Sequence, residues 1–470
     1  MNKNFARFAA VVLCVVLALP MFAARGSANF SSFVALGDSF GVGHSNNSMN
    51  ERHQQWSWPA VIARQVGLQF CVPGGAAVGC FAQPLISYPG IGPELQLVNL
   101  APTLVPAPGQ GVPLMLNFPR PYNNLSIPGA TVGALLQLTG AEPQQPGEPG
   151  AVTIGRVVLR GLGTPAQQVA AQNATFVALW IGGNDYLNIV STGTPATLTS
   201  AEAFKARYEM LLDQLIQAAP NAGMVVGNLP YATIPYLTLV PPVLVDPATR
   251  QPIPGPGGAP IFYIVDNGDG TSSPVPPGTL IPLHTREKIA MGYGLPAFLK
   301  AVPPFNQLPH VGEPLSPNDV ITPDEMAVVQ ARVAEYNAAI QQAASARNIP
   351  VADIAGLYNR VFAPGGWQLG PINVNAGFLT GGFFSYDGVH LTDLGYLLFA
   401  NEYIKAINAG YGTEIPLANI FQLAANNGAN FDDGFDSSMS PSTMFSSEAI
   451  QQILSFWAQP TIAKRRVGRH

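Results

Sequence analysis

The chain has 470 residues, a formal charge of −5 at pH 7, 47% hydrophobic residues and only 10% charged ones. A charge so small and so sparse leaves no electrostatic footprint for nucleic acid, and the apolar fraction excludes a disordered polymer. The length allows one large domain or two, and 48 Gly with 45 Pro, interleaved with Phe, Leu and Tyr, predict long loops built onto a core.

At the start, Lys3 and Arg7 precede an apolar run from about Phe8 to Phe22 that contains Pro20. The run falls short of the roughly 20 residues of a spanning helix and has the pattern of a signal peptide. Residues 1–28 are therefore expected to be cleaved before Asn29, after the small residues Gly26-Ser27-Ala28, leaving a protein that is secreted, periplasmic or on the cell surface. Cys14 would leave with that segment. Cys71 and Cys80 are then expected to form a disulfide in an oxidising compartment, two buried thiols being the alternative. No histidine lies near either cysteine in sequence, so a cysteine nucleophile or a zinc site has little support.

The first apolar strand runs from Phe33 to Leu36 and leads into Gly37-Asp38-Ser39-Phe40-Gly41, which delivers a serine to the carboxyl end of a buried strand. A short helix follows over Trp58 to Val66. A Pro/Gly-rich stretch fills 83–124, ending at Asn123-Asn124-Leu125-Ser126-Ile127-Pro128-Gly129, where a glycine N–H can face a cleft. A second strand, Phe176 to Ile181, ends in Gly182-Gly183-Asn184-Asp185. Then come a helix over Ala201 to Ala218 and a strand over Met224 to Gly227.

A second Pro/Gly-rich stretch covers 231–318 and includes a hairpin-like turn at Val265 to Thr271 that lacks the ligand spacing of a calcium loop. Stretches this long without secondary structure usually serve as lids or binding walls. Thr322-Pro323-Asp324-Glu325 caps a helix reaching Arg347, Pro350 to Asp353 reads as a strand, and the last long helix runs from Thr392 or Asp393 to about Asn408. Residues 415–470 form a turn-rich extension with one helical patch near Ser446 to Trp457. Strands alternating with helices predict a parallel sheet covered on both faces.

Just before the last helix stands Asp387-Gly388-Val389-His390. A serine hydroxyl is a weak nucleophile until a positioned base takes its proton, and an acid beside that base fixes its tautomer. Ser39, His390 and Asp387 supply those three groups. Gly37 to Gly41 also fits the Gly-x-Ser-x-Gly nucleophile elbow of α/β-hydrolases. That fold, however, places several strands before its serine, and its acid and histidine usually sit on separate loops.

In four blocks taken in order, Gly37-Asp38-Ser39, Gly129, Gly182-x-Asn184-Asp185 and Asp387-x-x-His390, the chain resembles the SGNH hydrolase superfamily, the GDSL lipases and esterases. The resemblance spans about Phe33 to Asn408. It implies a flavodoxin-like three-layer α/β/α sandwich at 29–414, in which 83–124 and 231–318 are insertions. It also implies a triad of Ser39, His390 and Asp387, and an oxyanion hole from the Ser39 and Gly129 amides and the Asn184 side chain. Asp38, Gly182 and Asp185 would support the turns. Phe40 stands where the family often has leucine, and Leu391-Thr392 follow His390; neither departure is expected to touch a catalytic group. His44, five residues after Ser39, reads as a loop or surface residue, with a place along the cleft as the alternative.

The expected function is a secreted serine esterase or lipase acting on small-molecule or lipid esters, with no metal, no organic cofactor, no nucleic-acid partner and transient contact with lipid surfaces. The alternatives are a polysaccharide O-acetyl esterase and a catalytically silent binding protein that keeps the fold. Leu85, Ile86, Tyr88, Leu114, Met115, Leu116 and Phe118 in the first insertion, with Tyr236, Leu237, Leu239, Val240 and Leu244 in the second, either wall an acyl pocket or pack the loops onto the core.

Overall fold

A computed structural model gives the fold of residues 24–98, 103–231, 234–246, 249, 251–370, 372–419 and 444–445. The apolar run expected to direct export, from about Phe8 to Phe22, and the helical patch expected near Ser446 to Trp457 lie outside the described residues.

All five residues of β1, Phe33–Gly37, are buried, as an uninterrupted apolar run requires in a sheet covered on both faces. β1 pairs in parallel with β2, Phe176–Trp180, in a register that sets Phe33 beside Phe176 and Gly37 beside Trp180. β2 pairs in parallel with β3, Gly223–Gly227, and β3 with β4, Val351–Ala352. On the other side of β1 runs the extended segment 123–127. The Ala35 N–H donates to the Asn123 carbonyl (2.8 Å), and the Leu125 and Ile127 N–H groups donate to the carbonyls of Ala35 (2.8 Å) and Gly37 (2.9 Å). With this segment counted as the second strand, the spatial order is 2-1-3-4-5, the flavodoxin-like winding.

The main helices are α1, Trp58–Gln65; α2, Ala201–Ala218; α3, Pro323–Ser345; and α4, Asp393–Tyr411. α4 packs on β3, β4 and α1, with the helix Ile354–Phe362 beside it. α2 packs against α3 and against the short helices Val132–Gln137 and Pro165–Ala171. The two groups cover opposite faces of the sheet and make a three-layer α/β/α sandwich.

Local chemistry sets the helix ends. α3 begins at a capping box in which the Thr322 N–H donates to Glu325 Oε2 (2.8 Å) and the Glu325 N–H to Thr322 Oγ1 (3.3 Å), with Pro323 in the first turn. α4 does not stop before Gly410 as expected but continues to Tyr411. The Tyr411 hydroxyl accepts the Met224 N–H (2.7 Å) and lies 2.8 Å from the Arg25 carbonyl, which anchors the extra turn to β3, and Gly412 at φ +65 ends it.

The Pro/Gly-rich stretches carry more structure than expected. Leu95–Leu97 pairs with Thr103–Pro106, Ile264–Asp266 forms a hairpin with Ser272–Pro274, and Thr285–Ala290 is helical. Prolines break these runs into pieces of a few residues, too short for a periodic signal. Cys71 and Cys80 are bonded, with Cα atoms 5.1 Å apart. Among the described residues no helix is long and apolar enough to cross a membrane.

Candidate active site

Ser39 follows β1 in a tight turn. Asp38 Oδ1 accepts the Phe40 N–H (3.0 Å), and the Asp38 carbonyl accepts the Gly41 N–H (3.0 Å). Facing this turn is a short hairpin around residues 383–392, closed by the Ser385 N–H on the His390 carbonyl (2.9 Å) and the Thr392 N–H on the Phe383 carbonyl (3.0 Å). Gly388 turns it at φ +71 with the Tyr236 N–H donating to its carbonyl (2.9 Å), so the second inserted stretch grips the tip.

The hairpin brings the chain's far end to Ser39. His390 Nε2 lies 2.9 Å from Ser39 Oγ, and His390 Nδ1 lies 2.8 Å from Asp387 Oδ2. Asp387 Oδ1 accepts the N–H groups of Val389 (2.9 Å) and His390 (2.8 Å), and Oδ2 accepts the Asn47 N–H (2.9 Å). Ser39, Asp387 and His390 are each 1% exposed. Burial is the largest influence on Asp387 and would raise its pKa, but the charge and hydrogen bonds of His390 outweigh it and hold the carboxyl below the ordinary carboxylate range. A hydroxyl, an imidazole and an ionised carboxylate in hydrogen-bonded series are what nucleophilic acyl transfer requires.

Two further loops meet at Ser39. Gly129 takes φ +79 at the end of the segment beside β1, and its amide, like that of Ser39, donates to no protein acceptor among the described residues. After β2, Gly182 takes φ +117, and a Cβ there would lie 2.8 Å from the Phe204 ring, so a glycine is required for the chain to swing Asn184 inward. Asn184 Nδ2 donates to the Ala130 carbonyl (2.9 Å) and, at a longer 3.4 Å, to Asp38 Oδ2. Asp185 ties the two loops together, accepting the Val132 N–H on Oδ2 (2.9 Å) and the Thr199 hydroxyl on Oδ1 (2.9 Å). Burial pushes Asp38 up to about 8 and Asp185 up to about 6.

The family model described as GDSL-like Lipase/Acylhydrolase matches residues 33–403, most of the chain and all four loops of this site. The chain belongs to the GDSL-like lipase/acylhydrolase family. No curated protein matches this GDSL chain. Among solved structures it is similar to a phospholipase A1 from Streptomyces albidoflavus (14% identity, 82% of this chain and 100% of that one, TM-score 0.31). It is also similar to a family 3 carbohydrate esterase from Clostridium thermocellum (13%, 81% and 96%, 0.31) and to an acetyl-xylooligosaccharide esterase from Geobacillus (13%, 84% and 99%, 0.33).

Two sequence expectations need correction in this GDSL chain. His44 is no surface residue: its buried ring lies with its centroid 4.2 Å from that of His390, the two planes inclined by 43°, and its Nδ1 is 3.9 Å from Asp387 Oδ2. Burial, reinforced by the charge of His390, holds the His44 pKa well below the ordinary imidazole range, and so the ring neutral. Phe40 does touch the site, its ring centroid 5.4 Å from that of His390 and 4.9 Å from that of Trp180. His44, Asp387 and His390 have ligand atoms within 4.8 Å of one another, the described group a metal ion could bridge, although Asp387 and His390 already spend those atoms on each other, on Asn47 and on Ser39.

Of the candidate acyl-pocket residues, Ile86, Met115, Tyr236, Leu237, Val240 and Leu244 are buried in hydrophobic clusters, whereas Leu114 and Leu116 are exposed. The inserted stretches thus spend much of their apolar surface on the core. Sequence reasoning missed Asn47, whose backbone amide reaches Asp387 only through the fold. The left-handed Asn46-Asn47 pair is the one local signal that could have pointed to a specialised turn.

Proposed function

We propose that this chain is an exported serine esterase that hydrolyses carboxylic esters through an acyl-enzyme on Ser39. The observation that carries the reading is the pair of contacts from His390, 2.9 Å to Ser39 Oγ and 2.8 Å to Asp387 Oδ2. His390 takes the serine proton as Oγ attacks the ester carbonyl and returns it to the departing alcohol. Water, deprotonated by the same imidazole, then clears the acyl group. Asp387 keeps Nδ1 protonated and stabilises the imidazolium.

The Ser39 and Gly129 amides and the Asn184 side chain donate to the oxyanion. Asn184 Nδ2 exchanges its long contact with Asp38 for that role, since the 3.4 Å bond is the weaker of its two. The hydrolase unit occupies 29–414 with 83–124 and 231–318 inserted, and 415–470 extends it. Export follows from the first 28 residues of the sequence and is supported by the Cys71–Cys80 disulfide. The substrates are lipid or short-to-medium acyl esters, and rates across acyl lengths, with acetylated xylan alongside, separate these from a polysaccharide ester.

Ser39→Ala tests the reading. It should reduce hydrolysis of p-nitrophenyl acyl esters by on the order of 10⁴–10⁶ in turnover, and undiminished hydrolysis would remove Ser39 from the mechanism.

A further inference from the structure

The first inserted stretch sends a carboxylate into the interior: Glu94, 4% exposed. A buried carboxylate is costly unless its oxygens are satisfied, and here several donors converge on it. His53 Nε2 lies 3.2 Å from Oε1, Asn46 Nδ2 donates to the same oxygen at 3.5 Å, and Asn50 Nδ2 donates to Oε2 at 3.3 Å. On its other side, His53 Nδ1 lies 2.8 Å from Oδ1 of Asp393, the first residue of α4. The network therefore joins three parts of the chain: the inserted stretch, the loop after Ser39 and the helix after His390.

From Glu94 the contacts lead to Asp387. Asn46 and Asn47 sit in the left-handed region at φ 50 and φ 64, which Asn tolerates best after Gly. In that conformation the Asn46 N–H donates to Ser385 Oγ (3.0 Å), Asn46 Oδ1 accepts the Tyr386 N–H (3.0 Å), and the Asn47 N–H donates to Asp387 Oδ2 (2.9 Å). That is the oxygen facing His390 Nδ1. The Leu95 N–H, next to Glu94, also donates to the Asn46 carbonyl (2.8 Å).

We propose that Glu94 is a positioning residue for the Ser39, His390 and Asp387 unit: through Asn46 it holds the left-handed turn whose next amide fixes the carboxylate of Asp387. The inference rests on the esterase reading of the site. It gives the first insertion a task, bracing the acid from outside its own hairpin. A carboxylate is required. Gln would turn an NH2 group toward one of the converging donors, and Asn50 cannot answer by flipping, because its Oδ1 accepts the Arg52 N–H (3.0 Å) as a helix cap.

The test compares Glu94→Gln, Asn46→Gly and the double variant in steady-state hydrolysis of a p-nitrophenyl ester. Gly keeps the left-handed backbone at 46 and removes only the side-chain bonds. Each single change should lower kcat about 10- to 100-fold with KM moved less than about 2-fold, as for a sub-ångström misplacement of catalytic groups. The double should lose no more than the worse single, because the two residues act in series. A folded Glu94→Gln with wild-type kcat, a loss confined to KM, or losses that multiply would overturn the proposal. Should the variants not fold, amide exchange in the unaltered enzyme decides: the Asn47 N–H should exchange as slowly as those of β1, and exchange at the rate of an exposed loop would overturn it. Ser39→Ala in the same assay separates the two claims. An active Ser39→Ala chain refutes the esterase reading itself, whereas an inactive one beside an unimpaired Glu94→Gln refutes only the brace.

Discussion

Asp38 sits between the serine turn and the amide of Asn184, and burial pushes its carboxyl from 3.8 up to about 8. An acid raised on folding holds a proton in the native state where the unfolded chain has released it. Its contribution therefore makes stability fall as pH rises through the window from about 4 to about 8. Asp38→Asn removes that titration, so the decline in thermal midpoint between pH 5 and pH 9 should be shallower in the variant; an unchanged slope would show that Asp38 is ionised in the native state. For Asn184→Ala, turnover should drop by about 10²–10³ with little change in KM, and a defect in KM alone would contradict an oxyanion role. Ser39, Asp387 and His390 were legible because each lies in a short block whose residues act locally. Glu94, His53 and Asp393 were not, because no spacing along the chain brings an insertion, a loop and a helix start together.

Among elements, the strands read most clearly, since Phe33 to Leu36 and Phe176 to Trp180 are continuous apolar runs that a doubly covered parallel sheet demands. The segment 123–127 did not read as a strand: Asn123, Asn124 and Ser126 interrupt it, yet their side chains are buried and their backbone pairs with β1. Asn123 Nδ2 donates to the Phe33 carbonyl (2.8 Å) and Arg120 Nη2 to the Cys80 carbonyl (2.8 Å), so polar side chains take the place of apolar ones at this edge. The disulfide next to it closes a loop with a sequence separation of 9. Replacing both cysteines by serine should lower the unfolding free energy by about 2–3 kcal/mol, read from denaturant melts, while turnover of the folded variant stays near that of the unaltered protein. A large loss of turnover at unchanged stability would instead tie the disulfide to the geometry of the Gly129 loop.

At the scale of the molecule, the winding order explains why residues so far apart in sequence share one site. The chain leaves β1 for one side of the sheet at 123–127 and crosses to the other at β2, so the loops bearing Ser39, Gly129 and Asn184 all open at this switch point. The hairpin before α4 then lays Asp387 and His390 over it, gripped by Tyr236 of one insertion and, through Asn46, by Glu94 of the other. The four sequence blocks carried the fold and the meeting of these loops. The packing of the insertions stayed hidden because their contacts are long-range and their runs are broken by proline. The central claim is that Ser39 is the nucleophile activated by His390. Its most direct test is to label the unaltered enzyme and His390→Ala with a fluorophosphonate and map the adduct by peptide mass spectrometry. A single adduct on Ser39, formed rapidly in the unaltered enzyme and lost in His390→Ala, is the predicted result; an adduct on another residue, or equal labelling of Ser39 without His390, would contradict it.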